Sequence, residues 1–176
     1  MHELKKIRVE SIPRSLSKAE RYRLLNEPRC AESICRDILA VDAKHADAIK
    51  VLILAITDQF PVPGDAKDLR VRKDEAESLL SRLPDEYSQF YYKGVLLERW
   101  SKSLLLNRAN PSIVHDFLVQ AMEAYALAEA LSDPDNEDAV LRWNTCARII
   151  DRYGLADRSA NPAIHHESYG DEVPFR

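Results

Sequence analysis

QAMEAYALAEALSDPDNEDAV, residues 120–140, and CAESICRDILAVDAKHADAI, residues 30–49, are two copies of one pattern. Each copy reads as an amphipathic helix, a short polar turn and the start of another helix. Repeated helical pairs are typical of α-solenoids, in which each pair packs on its neighbours along the chain. Because solenoids present long surfaces to other molecules, the pattern favours binding over catalysis.

The composition of the chain limits the class of protein. Its 176 residues suit one domain, and four glycines among many alanines, leucines, glutamates and arginines favour helix. The net charge is −4 at pH 7, so no broad basic field would attract nucleic acid or an anionic membrane. We therefore expect a partner that is neither nucleic acid nor membrane.

The cysteines and the first residues bear on location. Cys30, Cys35 and Cys146 are odd in number and have no CxxC spacing, which is typical of reduced thiols. Residues 1–8 carry charge but no apolar run follows them, unlike a secretory signal. These features predict a cytoplasmic protein.

The spacing of apolar residues predicts seven helices and no strand. The helices fall at about 15–26, 28–41, 46–59, 67–83, 85–106, 112–131 and 137–152, the first capped by Ser15 or Ser17. In the last helix Val140, Trp143, Ala147 and Ile150 form the predicted buried stripe. Residues 1–14 are then an extended lead-in, 15–152 a helical repeat domain and 153–176 an irregular tail.

These segments resemble the tetratricopeptide repeat family. Its unit has W-x2-L-G-x2-Y on a first helix and A-x3-F-x2-A, then proline, on a second. The second-helix positions are matched by Ala31, Cys35, Ile38, Ala43, Ala121, Tyr125 and Ala128. The first-helix positions are matched by Ile49, Leu52, Ile53, Ile56, Phe90, Gly94, Leu97, Val140, Trp143, Asn144 and Ala147. The resemblance implies an all-α fold, a right-handed α-solenoid of antiparallel helical hairpins.

The chain departs from the family pattern at several positions. Ile53 and Asn144 replace the glycine, and Lys93 stands at a leucine position. The interval from Gly94 to Ala121 is about fifteen residues longer than the family unit requires. We therefore expect the hairpin of residues 85–131 to be taller than its neighbours.

The family resemblance also implies a concave groove that holds a peptide. Its inward positions would be Asp47, Lys50, Leu54, Thr57, Ser88, Tyr91, Val95, Glu98, Asp138, Leu141, Thr145 and Arg148. This mixture suits a protein segment with a few apolar anchors. The alternative is that they are ordinary solvated helix positions. One branch of the family clamps C-terminal carboxylates with Lys and Asn, but here Leu54 stands at the asparagine position beside Lys50, so that clamp is incomplete.

A different function would be self-association through the tall hairpin. Trp100, Leu104 and Leu105 are candidates for an oligomer patch in a homodimer. The alternative is that they pack against the facing residues 113–118 within one chain. A third hypothesis is that tail residues 159–176 occupy the protein's own groove.

No pattern in the sequence supports catalysis. There is no glycine-rich phosphate loop, GxSxG or HExxH, and His165-His166 lacks a supporting ligand spacing. We therefore predict a binding protein with no enzymatic activity, no cofactor and no metal.

Overall fold

The computed structural model describes residues 3–61 and 66–155, and within these ranges all regular structure is helical. A 3₁₀ turn over Val9–Ser11 precedes seven α-helices. The helices are α1 (Ile12–Leu24), α2 (Pro28–Leu39), α3 (Ala46–Thr57), α4 (Ala66–Leu80), α5 (Glu86–Leu106), α6 (Pro111–Glu129) and α7 (Asp138–Tyr153). The predicted number and order of helices in this part of the chain are confirmed. Of the predicted irregular tail, residues 153–176, Tyr153 belongs to α7, and the residues beyond Leu155 lie outside the described part.

Side-chain caps begin three of the described helices, α3, α5 and α6. The Asp85 side chain accepts a hydrogen bond from the Ser88 N–H at 2.6 Å at the start of α5. The Asn110 side chain accepts one from the Ser112 N–H at the start of α6. α1 begins at Ile12, ahead of Ser15 and Ser17, because a proline occupies its first turn. The predicted cap of α1 is therefore wrong by one helical turn.

Helices that are adjacent in sequence pack together, and the odd-numbered helices also contact one another in order. α1 contacts α3, α3 contacts α5, and α5 contacts α7. The even-numbered helices of the described chain share no comparable contacts. The odd-numbered helices thus form one continuous layer, which we call the odd-helix layer.

The tall pair α5 and α6 carries the centre of the core. These helices have 21 and 19 residues, against 12 in each of α2 and α3. Gly94 lets them approach, because a Cβ at this position would lie 2.5 Å from the ring of Tyr125. Trp100 lies between Phe60 and Phe117, with ring centroids 5.7 and 6.4 Å away.

The predicted buried stripe of α7 is wrong. The buried residues are Ala139 and Cys146, whereas Trp143 keeps 38% of its surface exposed and Ile150 is only partly buried. The reason is that α7 packs mainly on α6, and no described helix follows to cover its other side. The apolar positions Val140, Trp143 and Ile150 of α7 are therefore only partly covered or exposed within the described chain.

Helix length and polarity bear on membrane association. No helix in the described ranges combines the length and apolar character that crossing a bilayer requires.

Candidate binding face

One side of α3 is open, and it marks the face on which a site can exist. Between residues 47 and 58 only Asp47, Lys50, Leu54 and Asp58 are not buried. Their spacing of three and four residues puts them on one side of the helix. We call these four residues the α3 stripe. Because α3 contacts four other helices, this stripe is the part of it that a partner can reach.

The twelve predicted groove residues divide by exposure. Thr57, Ser88, Val95 and Glu98 are buried and offer no side-chain surface to a peptide in this structure. The others are exposed or partly exposed, namely Asp47, Lys50, Leu54, Tyr91, Asp138, Leu141, Thr145 and Arg148. Peptide binding by the exposed members stays a prediction.

A cluster at the C-terminal end of α3 joins three helices. Asp58 accepts a hydrogen bond from Arg23 of α1 at 2.7 Å and forms an ion pair with Arg99 of α5 at 2.8 Å. Arg99 also donates to the Thr57 hydroxyl at 2.6 Å and to the Leu54 carbonyl at 3.0 Å. We call Arg23, Asp58 and Arg99 the Asp58 cluster. It fixes the relative position of α1, α3 and α5 on the open face.

A second cluster joins α5, α6 and α7. Glu98 is fully buried, and its Oε2 accepts a hydrogen bond from the Tyr125 hydroxyl at 2.7 Å. Its Oε1 contacts the Lys102 ammonium and, at 3.4 Å, the Arg142 guanidinium. We call these four residues the Glu98 cluster. It satisfies a buried carboxylate, which would otherwise be costly inside a protein.

Burial and charge shift the pKa values in both clusters. Burial lowers the pKa of Arg99, although Asp58 opposes the shift. Burial also acts to lower the pKa of Arg142, but Glu98, Tyr125 and Tyr91 together outweigh it and the pKa is raised. Burial and then Glu98 raise the pKa of Tyr125 well above its ordinary range. Tyr125 is therefore a hydrogen-bond donor at neutral pH.

Three tyrosines extend the open face toward the N-terminal end of α5. Tyr91 stacks on Tyr87 with ring centroids 5.8 Å apart and meets Tyr92 edge-on at 5.3 Å. Asn136, before α7, donates to the Tyr87 hydroxyl at 2.8 Å. Aromatic rings held in this way supply apolar contact area with little entropy to lose on binding.

The two clusters leave positive charge in excess. Four cationic side chains share the carboxylates of Asp58 and Glu98. The side chains of Lys102 and Arg142 remain 41% and 35% exposed, whereas Glu98 is not exposed at all. In a chain whose net charge is −4, this face is locally cationic.

The candidate oligomer patch lies mostly inside the molecule. Trp100 is 8% exposed, and Leu104 and Leu105 are partly buried against the core. This agrees with the alternative that they pack within the chain. The exposed apolar residues at this end of α5 and α6 are Leu106 and Ile113.

Other chemical groups are dispersed. Burial raises the pKa of the Cys35 and Cys146 thiols to about 12, so both stay protonated at neutral pH. No group of three metal-ligating side chains occurs in the described ranges, and His165-His166 lies outside them. A cavity of about 820 Å³ runs along α1 and is lined in part by Arg14, Lys18 and Arg21.

Comparisons with known proteins give no relative. No protein-family model matches the chain, and neither a curated protein nor a solved structure matches it.

Proposed function

We propose that this chain is a cytoplasmic protein-interaction module of tetratricopeptide type. In this proposal the helices form a right-handed solenoid of antiparallel hairpins, and the odd-helix layer is its concave side. A peptide or protein segment binds across the α3 stripe, the tyrosines and the two charged clusters.

The observation that carries the proposal is the α3 stripe. The stripe is the part of α3 that is not buried, so it is where this central helix can contact another molecule. It combines the charged side chains of Asp47, Lys50 and Asp58 with the apolar Leu54, and charged clusters flank it on α1, α5 and α7. Mixed polar and apolar positions on a rigid helical face suit recognition of a protein segment.

The experiment is site-specific photo-crosslinking in native lysate. A benzoylphenylalanine at Lys50, on the α3 stripe, is compared with the same group at Val71 of α4, which is 58% exposed. We expect the group at position 50 to give a discrete crosslinked adduct, whose partner protein mass spectrometry identifies. The group at position 71 should not crosslink to that protein. If both positions give the same proteins, or neither gives any, the open face is not a binding site.

Self-association is the second candidate function. It now depends on Leu106 and Ile113, which are 66% and 47% exposed, rather than on Trp100. Light scattering at high micromolar concentration decides the matter. A monomer removes the hypothesis, whereas a dimer that Leu106→Glu separates supports it.

A further inference from the structure

The excess positive charge on the odd-helix layer limits the chemistry of the partner. We propose that the segment bound there is acidic, and that its carboxylates bind between Lys102 of α5 and Arg142 of α7. This proposal rests on the function proposed above and specifies the class of partner.

The donors of Lys102 and Arg142 are only partly used. Both side chains contact the same oxygen, Oε1 of Glu98, and neither has another carboxylate partner among the described residues. An ammonium group has three N–H donors and a guanidinium five, so donors remain for a ligand even though Arg142 also forms a hydrogen bond with Tyr91. Both side chains keep more than a third of their surface exposed. Glu98 thus holds two cations side by side at the surface without neutralising both.

The neighbouring Asp58 cluster adds to the positive potential. Asp58 is shared by Arg23 and Arg99, and the charges of Arg23 and Arg142 both act to lower the pKa of Arg99. Like charges therefore act on one another across α1, α5 and α7. A carboxylate from a partner would relieve this repulsion and form charge-assisted hydrogen bonds, which are about twice as strong as neutral ones.

The charge at the other end of the same face argues against a nucleic acid. Asp85 and Asp138 act on Tyr87, and Glu86 begins α5 beside them. A uniform polyanion that continued along the face would meet these carboxylates and be repelled. A protein segment can instead be acidic at one end and apolar at the other, where Tyr87 and Tyr91 offer their rings. The distribution of charge along α5 therefore fits an acidic peptide with an apolar anchor.

The test is selection from a displayed library of random twelve-residue peptides. Four immobilised proteins are compared: wild type, Lys102→Gln, Arg142→Gln and the control Lys93→Gln. Lys93 is an exposed lysine of α5 outside both clusters, so its loss changes the net charge equally. Circular dichroism melting confirms that each variant is folded. The Lys102→Gln variant keeps the test valid if Arg142→Gln does not fold.

We expect peptides selected by wild type and by Lys93→Gln to be rich in Asp and Glu. Their dissociation constants, measured by fluorescence anisotropy, should rise about tenfold in Lys102→Gln, the effect of one charge-assisted contact. Binding should also weaken as salt increases, because the cations are partly exposed.

Four results would overturn the proposal. Selected peptides without acidic enrichment would exclude the acidic class, while the interaction function stands if the Lys50 crosslink still captures a partner. An equal loss in Lys93→Gln would show that only net charge matters. A labelled twelve-residue oligothymidine that binds through Lys102 when acidic peptides do not would assign the face to nucleic acid. A selection that returns no peptide, together with no crosslink, counts against both proposals.

Discussion

The two carboxylates of the odd-helix layer perform similar tasks in different surroundings. Asp58 and Glu98 each hold two cations and each join three helices. Asp58 keeps 23% of its side chain exposed, whereas Glu98 has none exposed and also accepts the Tyr125 hydroxyl. Water can replace the partners of Asp58 but cannot reach Glu98. The comparison suggests that the Glu98 cluster dominates stability and that the Asp58 cluster mainly adjusts the surface.

The largest expected loss of stability comes from replacing Glu98, the buried carboxylate. Glu98→Ala leaves Tyr125 without its acceptor and two cations without their carboxylate, and we expect a loss of about 3 kcal/mol in unfolding free energy. Urea denaturation at pH 7 measures it. A loss below about 1 kcal/mol would mean that solvent satisfies the Glu98 cluster despite its burial.

The second-largest expected loss of stability comes from disturbing the close approach of α5 and α6 beside Glu98. Gly94→Ala puts a methyl group 2.5 Å from the Tyr125 ring, so α6 must shift or the ring must turn away from Glu98. We expect a loss of about 2 kcal/mol, within the usual range for overpacking a core. Gly94→Ala should cost less in a Tyr125→Leu background than in wild type, because the ring that it would contact is then absent. If the single variant is as stable as wild type, the helices are less tightly packed than the contact indicates.

Asp58 should give a smaller effect. Asp58→Ala removes two ion pairs that water partly replaces, and we expect a loss of about 1 kcal/mol. The urea midpoint, compared with that of Glu98→Ala, measures the difference between the two sites. Equal losses from Asp58→Ala and Glu98→Ala would refute the distinction that burial makes between them.

Much of the fold could be predicted from local sequence, since a helix depends on neighbours three and four residues away. The apolar spacing of α3 and of α6 is sufficient to predict both helices within about two residues of their observed ends. The face of α7 was not predictable in this way. Its apolar stripe is present, but whether a further helix covers it depends on the rest of the chain.

Less of the candidate site could be predicted. Glu98 and Lys102 are four residues apart on one helix, so their contact was available from the sequence. Arg142 and Arg23 join their carboxylates across 44 and 35 residues, and no local rule indicates which cation reaches which acid. Such pairs follow from how the helices pack. Glu98 was predicted at a groove position, but its complete burial depends on Tyr125 from α6.

The smallest expected effect is a change in how stability depends on pH, and it tests the burial of the Tyr125 hydroxyl beside Glu98. An unfolded tyrosine ionises near pH 10, whereas burial and Glu98 hold the pKa of Tyr125 well above that value in the folded protein. The stability that Tyr125 contributes is therefore complete below about pH 10 and falls as the pH rises further, by about 1.4 kcal/mol per unit. We compare urea unfolding at pH 8 and pH 11 for wild type, Tyr125→Phe and Tyr153→Phe, the last altering a tyrosine that is 53% exposed. Tyr125→Phe should be less stable at pH 8, because its hydroxyl is gone, yet lose about 1 kcal/mol less than wild type between the two pH values. Tyr153→Phe should lose as much stability between the two pH values as wild type does. If Tyr125→Phe also loses as much as wild type, the Tyr125 hydroxyl is accessible to water. The surroundings of Asp58 and Glu98 then differ less than their exposure indicates.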